Sequence, residues 1–81
     1  MLITGGCGFI GSNFVRYMLD VHPEYRLINL DALTYAGNLE NLEDVEDRPS
    51  YTFIKGDICD RTHVERIVKE HGVKIIVNFA A

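Results

Sequence analysis

Thr4-Gly5-Gly6-Cys7-Gly8-Phe9-Ile10-Gly11 is the stretch whose reading decides the fold. From Gly6 it reads G-x-G-x-x-G, set between a short apolar run, Met1-Leu2-Ile3, and a helical pattern from Ile10 to Val21. A lone glycine triplet says little. The same triplet between a strand and a helix, with an acidic residue further on, is specific. Asp31 is that residue, twenty positions after Gly11, and it closes a second apolar strand, Leu27-Ile28-Asn29-Leu30. This is the layout of a dinucleotide-binding unit.

Each glycine has an expected physical task. Gly5 and Gly6 turn the chain sharply off the strand, where φ can be positive. Gly8 has no side chain to hold a pyrophosphate away from the backbone, and Gly11 lets the helix lie close against the strand. The first N–H groups of the helix lack partners within it, face outward and attract anions.

Outward from this loop, the first strand is Met1 to Thr4. The first helix, Phe9 to Val21, carries an apolar stripe of Ile10, Phe14, Met18 and Val21, with Val15 and Leu19 beside it. His22-Pro23 ends it, because the residue before proline is driven out of the α region. The second strand spans Arg26 to Asp31. Residues 32–50 form a long acidic connection, in which Leu39, Leu42 and Val45 keep a three-residue spacing, enough for one or two helical turns, with Asn38 as N-cap. Its charges read as a solvated face. Tyr51 to Lys55 is the third strand. A second helix, Arg61 to His71, follows, with Val64, Ile67, Val68 and His71 on its inner face. Its N-cap is Asp60, or Thr62 with Glu65 as a capping box, and Gly72 is the expected C′ residue. Lys74 to Phe79 is the fourth strand. His22 and His63 read as surface residues.

Right-handed crossovers order these strands 3-2-1-4 in a parallel α/β sheet. The first helix and the 32–50 connection then cover one face, and the second helix covers the other. The order reverses between strands one and four, so the ligand crevice opens at their C-terminal ends. Thr4, Gly5, Gly8, Asp31, Asp57 and Ala80 all fall on that edge.

Eighty-one residues make one small unit, not a two-domain enzyme. The sequence stops on Phe79-Ala80-Ala81, straight out of an apolar strand, so residues 1–81 are expected to be the N-terminal part of a larger nucleotide-binding domain. The net charge of −4, without a basic cluster, argues against nucleic acid. No apolar run reaches the ~20 residues that span a bilayer, and no signal peptide precedes the first strand. A cytoplasmic protein that does not bind membranes is expected. Cys7 and Cys59 follow no metal or redox spacing and read as reduced, partly buried thiols. Cys59 and His63 are two candidate zinc ligands, too few for a site, so no metal is expected.

The glycine stretch at the start of the chain resembles that of the extended short-chain dehydrogenase/reductases, which act on nucleotide sugars. Leu33-Thr34-Tyr35-Ala36-Gly37-Asn38-Leu39-Glu40-Asn41-Leu42 is similar to a loop of the dTDP-glucose 4,6-dehydratase family. Gly56-Asp57-Ile58-Cys59-Asp60 and Asn78-Phe79-Ala80-Ala81 fit the same family. The resemblance runs the whole length of the chain and covers about the front quarter of such an enzyme. It implies a Rossmann-type fold, bound NAD, a nucleotide-sugar substrate held by the rest of the enzyme, and a homodimer. In that family NAD oxidises the sugar 4-hydroxyl, water leaves across carbons 5 and 6, and hydride returns to carbon 6.

Asp31 is expected to accept from the adenosine ribose hydroxyls. Only Ala32, Leu33 and Thr34 follow it, with no cation for a 2′-phosphate, which favours NAD over NADP. The resemblance implies further roles. The backbone at Phe9 and Ile10 would contact the pyrophosphate. Asp57 would accept from the adenine amino group, with Ile58 against its ring. Leu33 and Thr34 would lie around the adenosine, and Ala80 and Ala81 would be small where the cofactor crosses strand four. The family's chemistry uses a Tyr-x-x-x-Lys pair and an Asp-Glu pair. Tyr51-Thr52-Phe53-Ile54-Lys55 has the spacing but lies in a strand and reads as a chance match, so no catalytic residue is assigned and the segment alone is expected to be inactive. Two alternatives stand beside the dehydratase: a nucleotide-sugar epimerase of the same fold, and a non-catalytic dinucleotide sensor. The fold does not decide among them.

Overall fold

The structure is a computed structural model that describes residues 1–33 and 39–79. The elements are β1 (Leu2–Thr4), α1 (Phe9–Val21), β2 (Leu27–Asp31), a 3-10 turn (Leu39–Leu42), β3 (Tyr51–Lys55), α2 (Arg61–His71) and β4 (Ile76–Asn78). The strands form one sheet in the expected order β3-β2-β1-β4, all pairs parallel. Leu2 sits opposite Ile28 on one side and Ile76 on the other. The ladder runs past the ends of β4, with Leu2 N donating to Ile75 O at 2.8 Å and Phe79 N to Thr4 O at 2.7 Å.

The alternation of the strands splits the core into two layers. Ile3, Leu27 and Tyr51 pack with Val15, Met18 and Leu19 of α1 and with Leu42 and Val45 of the connection. Leu2, Ile28 and Leu30 face the other way, onto Ile67, Val64 and Val68 of α2. Along β2 this places Leu27, Asn29 and Asp31 on the α1 side, an arrangement on which the site depends.

The apolar stripe of α1 is rotated from the expected one. Gly11, Ser12, Val15, Met18 and Leu19 are buried, whereas Ile10 is 69 % and Val21 51 % exposed. The close seat of Gly11 against the Gly5–Gly6 backbone goes with this rotation, which turns the Gly11–Val15–Leu19 row inward. Phe14 remains half-buried against Phe79, ring centroids 5.3 Å apart. The helix closes as expected at His22, whose N–H donates to Met18 O.

In α2 the N-cap competition resolves to Asp60, whose carboxylate accepts from His63 N at 3.2 Å. Gly72 ends the helix in the left-handed region at φ 60°, its N–H donating to Val68 O. His71 is exposed rather than on the inner face, since the helix meets the sheet mainly through Ile67. His63 is half-buried rather than on the surface, its ring lying where a Cβ on Gly56 would be, 2.8 Å away. The acidic connection is also more than a solvated face. Asp44 pairs with Arg16 at 2.9 Å and Arg48 with Asp20 at 2.8 Å, which ties the connection to α1. Asn38, the expected cap of the 3-10 turn, lies outside the described residues.

Candidate functional site

At the C-terminal ends of β1 and β4 a cleft of about 260 Å³ is lined by Gly5, Gly8, Phe9, Ile10, Gly11 and Phe79. It lies where the strand order reverses, the position that nucleotide sites occupy in open parallel sheets. Gly5 leaves β1 at φ 74°, the turn that only glycine makes without strain. Gly6, expected to share that freedom, has no positive φ. It must be glycine because the chain passes so close to Asn29 that a Cβ would sit 2.4 Å from Oδ1. Gly11 faces the loop backbone, with a Cβ there 2.4 Å from Gly5 O.

The loop amides are already bonded. Gly5 N donates to Leu30 O, Gly6 N to Asn29 Oδ1, Cys7 N to Asp31 Oδ2 and Gly8 N to Gly5 O. The free donors begin one residue later. Gly8 is the N-cap of α1 and makes no side-chain cap bond, and the first turn holds no acidic residue. The amides of Phe9, Ile10 and Gly11 have no acceptor within the helix, and the helix dipole adds partial positive charge at this end. Phe9 and Ile10, 80 % and 69 % exposed, flank the opening. The arrangement suits an anionic group the size of a phosphate.

Asp31 is 7 % exposed, and each carboxylate oxygen already has a partner: Oδ2 accepts from Cys7 N at 2.9 Å and Oδ1 from Leu33 N at 2.8 Å. Each oxygen keeps a further lone pair, so anchoring the loop does not prevent it from accepting from a ligand. Leu33 stands at φ 57°, an uncommon conformation for a bulky residue, with its amide held by that carboxylate. Asp57 is exposed, and its Oδ1 accepts from Cys59 N at 2.8 Å in an Asx turn past β3. Ile58 beside it is 36 % exposed. Thr34, Ala80 and Ala81 lie outside the described residues.

Asn29, Asn41 and Tyr51 were absent from the expected site, yet they build its floor. Asn29 donates from Nδ2 to Tyr51 Oη at 3.1 Å and to Cys7 Sγ at 3.3 Å. Asn41 donates to Cys7 O at 2.7 Å and accepts from Arg16 through its own carbonyl. One signal pointed to Asn29: a carboxamide inside an apolar strand, two residues before Asp31 and so on the same face. Burial pushes the Cys7 thiol up to about 11, and burial likewise raises the Tyr51 phenol. Tyr51 lies in the core below the loop, 7 % exposed. Cys59, expected to be partly buried, is exposed. Among the described residues no group of three His, Cys, Asp or Glu side chains could hold a metal ion, and no helix is long and apolar enough to cross a membrane.

The profile of the GDP-mannose 4,6 dehydratase family matches residues 2–81. The chain belongs to this family. The low-salt glycan biosynthesis protein Agl12 of Haloferax volcanii, 52 % identical over 81 residues, matches all of this chain and 25 % of its own length. A dTDP-glucose 4,6-dehydratase of Bacillus anthracis, solved in complex with NAD, superposes with TM-score 0.97 at 55 % identity, covering 99 % of this chain and 26 % of the other. A UDP-Glc/GlcNAc 4-epimerase of Campylobacter jejuni is more distant, at TM-score 0.85 and 31 % identity over 99 % of this chain and 23 % of the other. The chain therefore spans about a quarter of the length of these family relatives. The likeness to dTDP-glucose 4,6-dehydratases read from the sequence is borne out, as is the Rossmann-type sheet.

Proposed function

We propose that this chain is the NAD-binding front part of a nucleotide-sugar lyase that converts dTDP-glucose to its 4-keto-6-deoxy product in deoxysugar biosynthesis. The observation that carries the reading is the uncapped start of α1 behind Gly8, open to the cleft at the β1–β4 reversal. NAD would lay its pyrophosphate on the amides of Phe9, Ile10 and Gly11, with Gly5 and Gly8 giving room for it. Asp31 would accept from the ribose, with Leu33 and Thr34 nearby. Asp57 and Ile58 would hold the adenine, and Ala80 and Ala81 would let the cofactor pass over β4. When bound, NAD supplies the hydride acceptor and donor.

The greater identity to the dehydratase than to the epimerase favours elimination over epimerisation. In this reading the acid–base residues and the sugar site belong to sequence beyond residue 81, the intact enzyme is a cytoplasmic homodimer, and the 81-residue chain alone is inert. The test is the full-length protein, stripped of cofactor and assayed with dTDP-glucose with and without added NAD. NAD-dependent 4-keto product is expected from it and none from residues 1–81. A full-length protein that binds NAD but returns only the 4-epimer would overturn the dehydratase assignment.

A further inference from the structure

Asn29 lies in the middle of β2 at 0 % exposure, too deep to touch a ligand. Its carboxamide is nonetheless the hub of the glycine loop. Oδ1 accepts from Gly6 N at 2.9 Å, and the two Nδ2 hydrogens go to Tyr51 Oη and Cys7 Sγ. The orientation of the amide is fixed: the Gly6 N–H can only donate, so the oxygen must face it. Among the described residues no buried side-chain polar atom lacks a partner, so the network is closed.

We propose that Asn29 is a positioning residue for the phosphates of a bound dinucleotide, acting through Gly6 and braced by Tyr51. The proposal rests on the NAD reading above. The path is short. Asn29 fixes the Gly6 amide, and Gly6 leads through Cys7 and Gly8 into the first turn of α1, whose open amides face the cleft. Without Oδ1 the Gly6 N–H would be buried and unpaired, and the loop would have to move to satisfy it. That movement would turn the amides of Phe9, Ile10 and Gly11 away from a phosphate. The adenosine end would be held at Asp57 and Ile58 past β3 and by Asp31, which loses at most its bond to Cys7 N and keeps the one to Leu33 N, so it would respond far less than the phosphates.

The test uses the full-length protein, stripped of cofactor, as wild type, Asn29→Leu and Tyr51→Phe. Each is titrated with NAD, ADP and adenosine. Asn29→Leu is expected to weaken NAD and ADP roughly tenfold or more while leaving adenosine within about twofold. Tyr51→Phe should give the same pattern at smaller size. A parallel fall for adenosine would mean that Asn29 only supports the fold, and unchanged NAD and ADP would mean that it positions nothing; either overturns the proposal. If Asn29→Leu does not fold, Tyr51→Phe decides on the same three ligands. A wild-type protein that binds neither NAD nor ADP marks failure of the NAD reading itself, and the proposal falls with it.

Discussion

Gly6 and Asn29 are packed so closely that a Cβ on Gly6 would lie 2.4 Å from Oδ1 of Asn29, the same oxygen that accepts the Gly6 amide at 2.9 Å. The contact is with a fully buried side chain held by two further bonds, so it has little room to yield. Gly6→Ala is expected to destabilise the protein by about 1–3 kcal/mol, the usual range for overpacking, read from the denaturant midpoint. NAD affinity should fall with it. An alanine variant as stable as wild type would mean that Asn29 moves freely.

Asp31→Ala should weaken NAD binding by roughly one to two orders of magnitude through loss of charge-assisted bonds to the ribose. NADP should lose less or gain, because a carboxylate near its 2′-phosphate is removed. A second effect follows from the bonds to Cys7 N and Leu33 N: the ligand-free protein should melt at lower temperature, since two loop amides lose their acceptor. Titrating both dinucleotides, alongside melting without ligand, separates the two roles. An unchanged preference with a lowered melting point would leave Asp31 as a loop anchor alone.

Cys7 makes stability depend on alkaline pH. Burial raises its thiol from the ordinary 9.0 to about 11, so the unfolded thiol ionises before the folded one. The stabilisation is intact below pH 9 and declines as pH rises towards 11, by about 2–3 kcal/mol in all. The buried Tyr51 phenol, also raised, acts in the same direction. Chemical denaturation across this range should show the decline, and Cys7→Ala should make it shallower, leaving the part due to Tyr51. Iodoacetamide near about pH 8 should modify the exposed Cys59 and spare Cys7 until the protein unfolds.

The 81-residue chain alone should self-associate. Ile75 and Ile76 are 44 % and 56 % exposed along β4, an edge open to pairing with other chains, and Phe9 and Ile10 are bare at the cleft. Sedimentation velocity should show oligomers that grow with concentration. A stable monomer at high concentration would count against this expectation.

Most of the architecture was legible in the sequence because each signal had a local cause. The glycine loop, Pro23, Asp60 and Gly72 punctuate the chain by backbone chemistry; the dinucleotide-binding layout supplies the strand order, and right-handed crossovers then fix which face each connection covers. The rotation of α1 was not legible, since both the Ile10–Val21 and Val15–Leu19 rows are apolar and only the seat of Gly11 chooses between them. The role of Gly6 was read as torsional and proved to be steric, which requires knowing that Asn29 lies beneath it. The floor of the site was hidden for a similar reason. Asn29, Asn41 and Tyr51 meet Cys7 across strands and a long connection, and no spacing rule links them.

The four loop amides that bond inward also bear on how fast a ligand could be taken up. A loop that had to fold around each incoming molecule would lose conformational entropy at every encounter and would slow association. Here that ordering is completed when the chain folds, through acceptors on Leu30, Asn29, Asp31 and Gly5. The donors left at the head of α1 are preorganised, so capture would be governed by diffusion and desolvation rather than by closure of the loop.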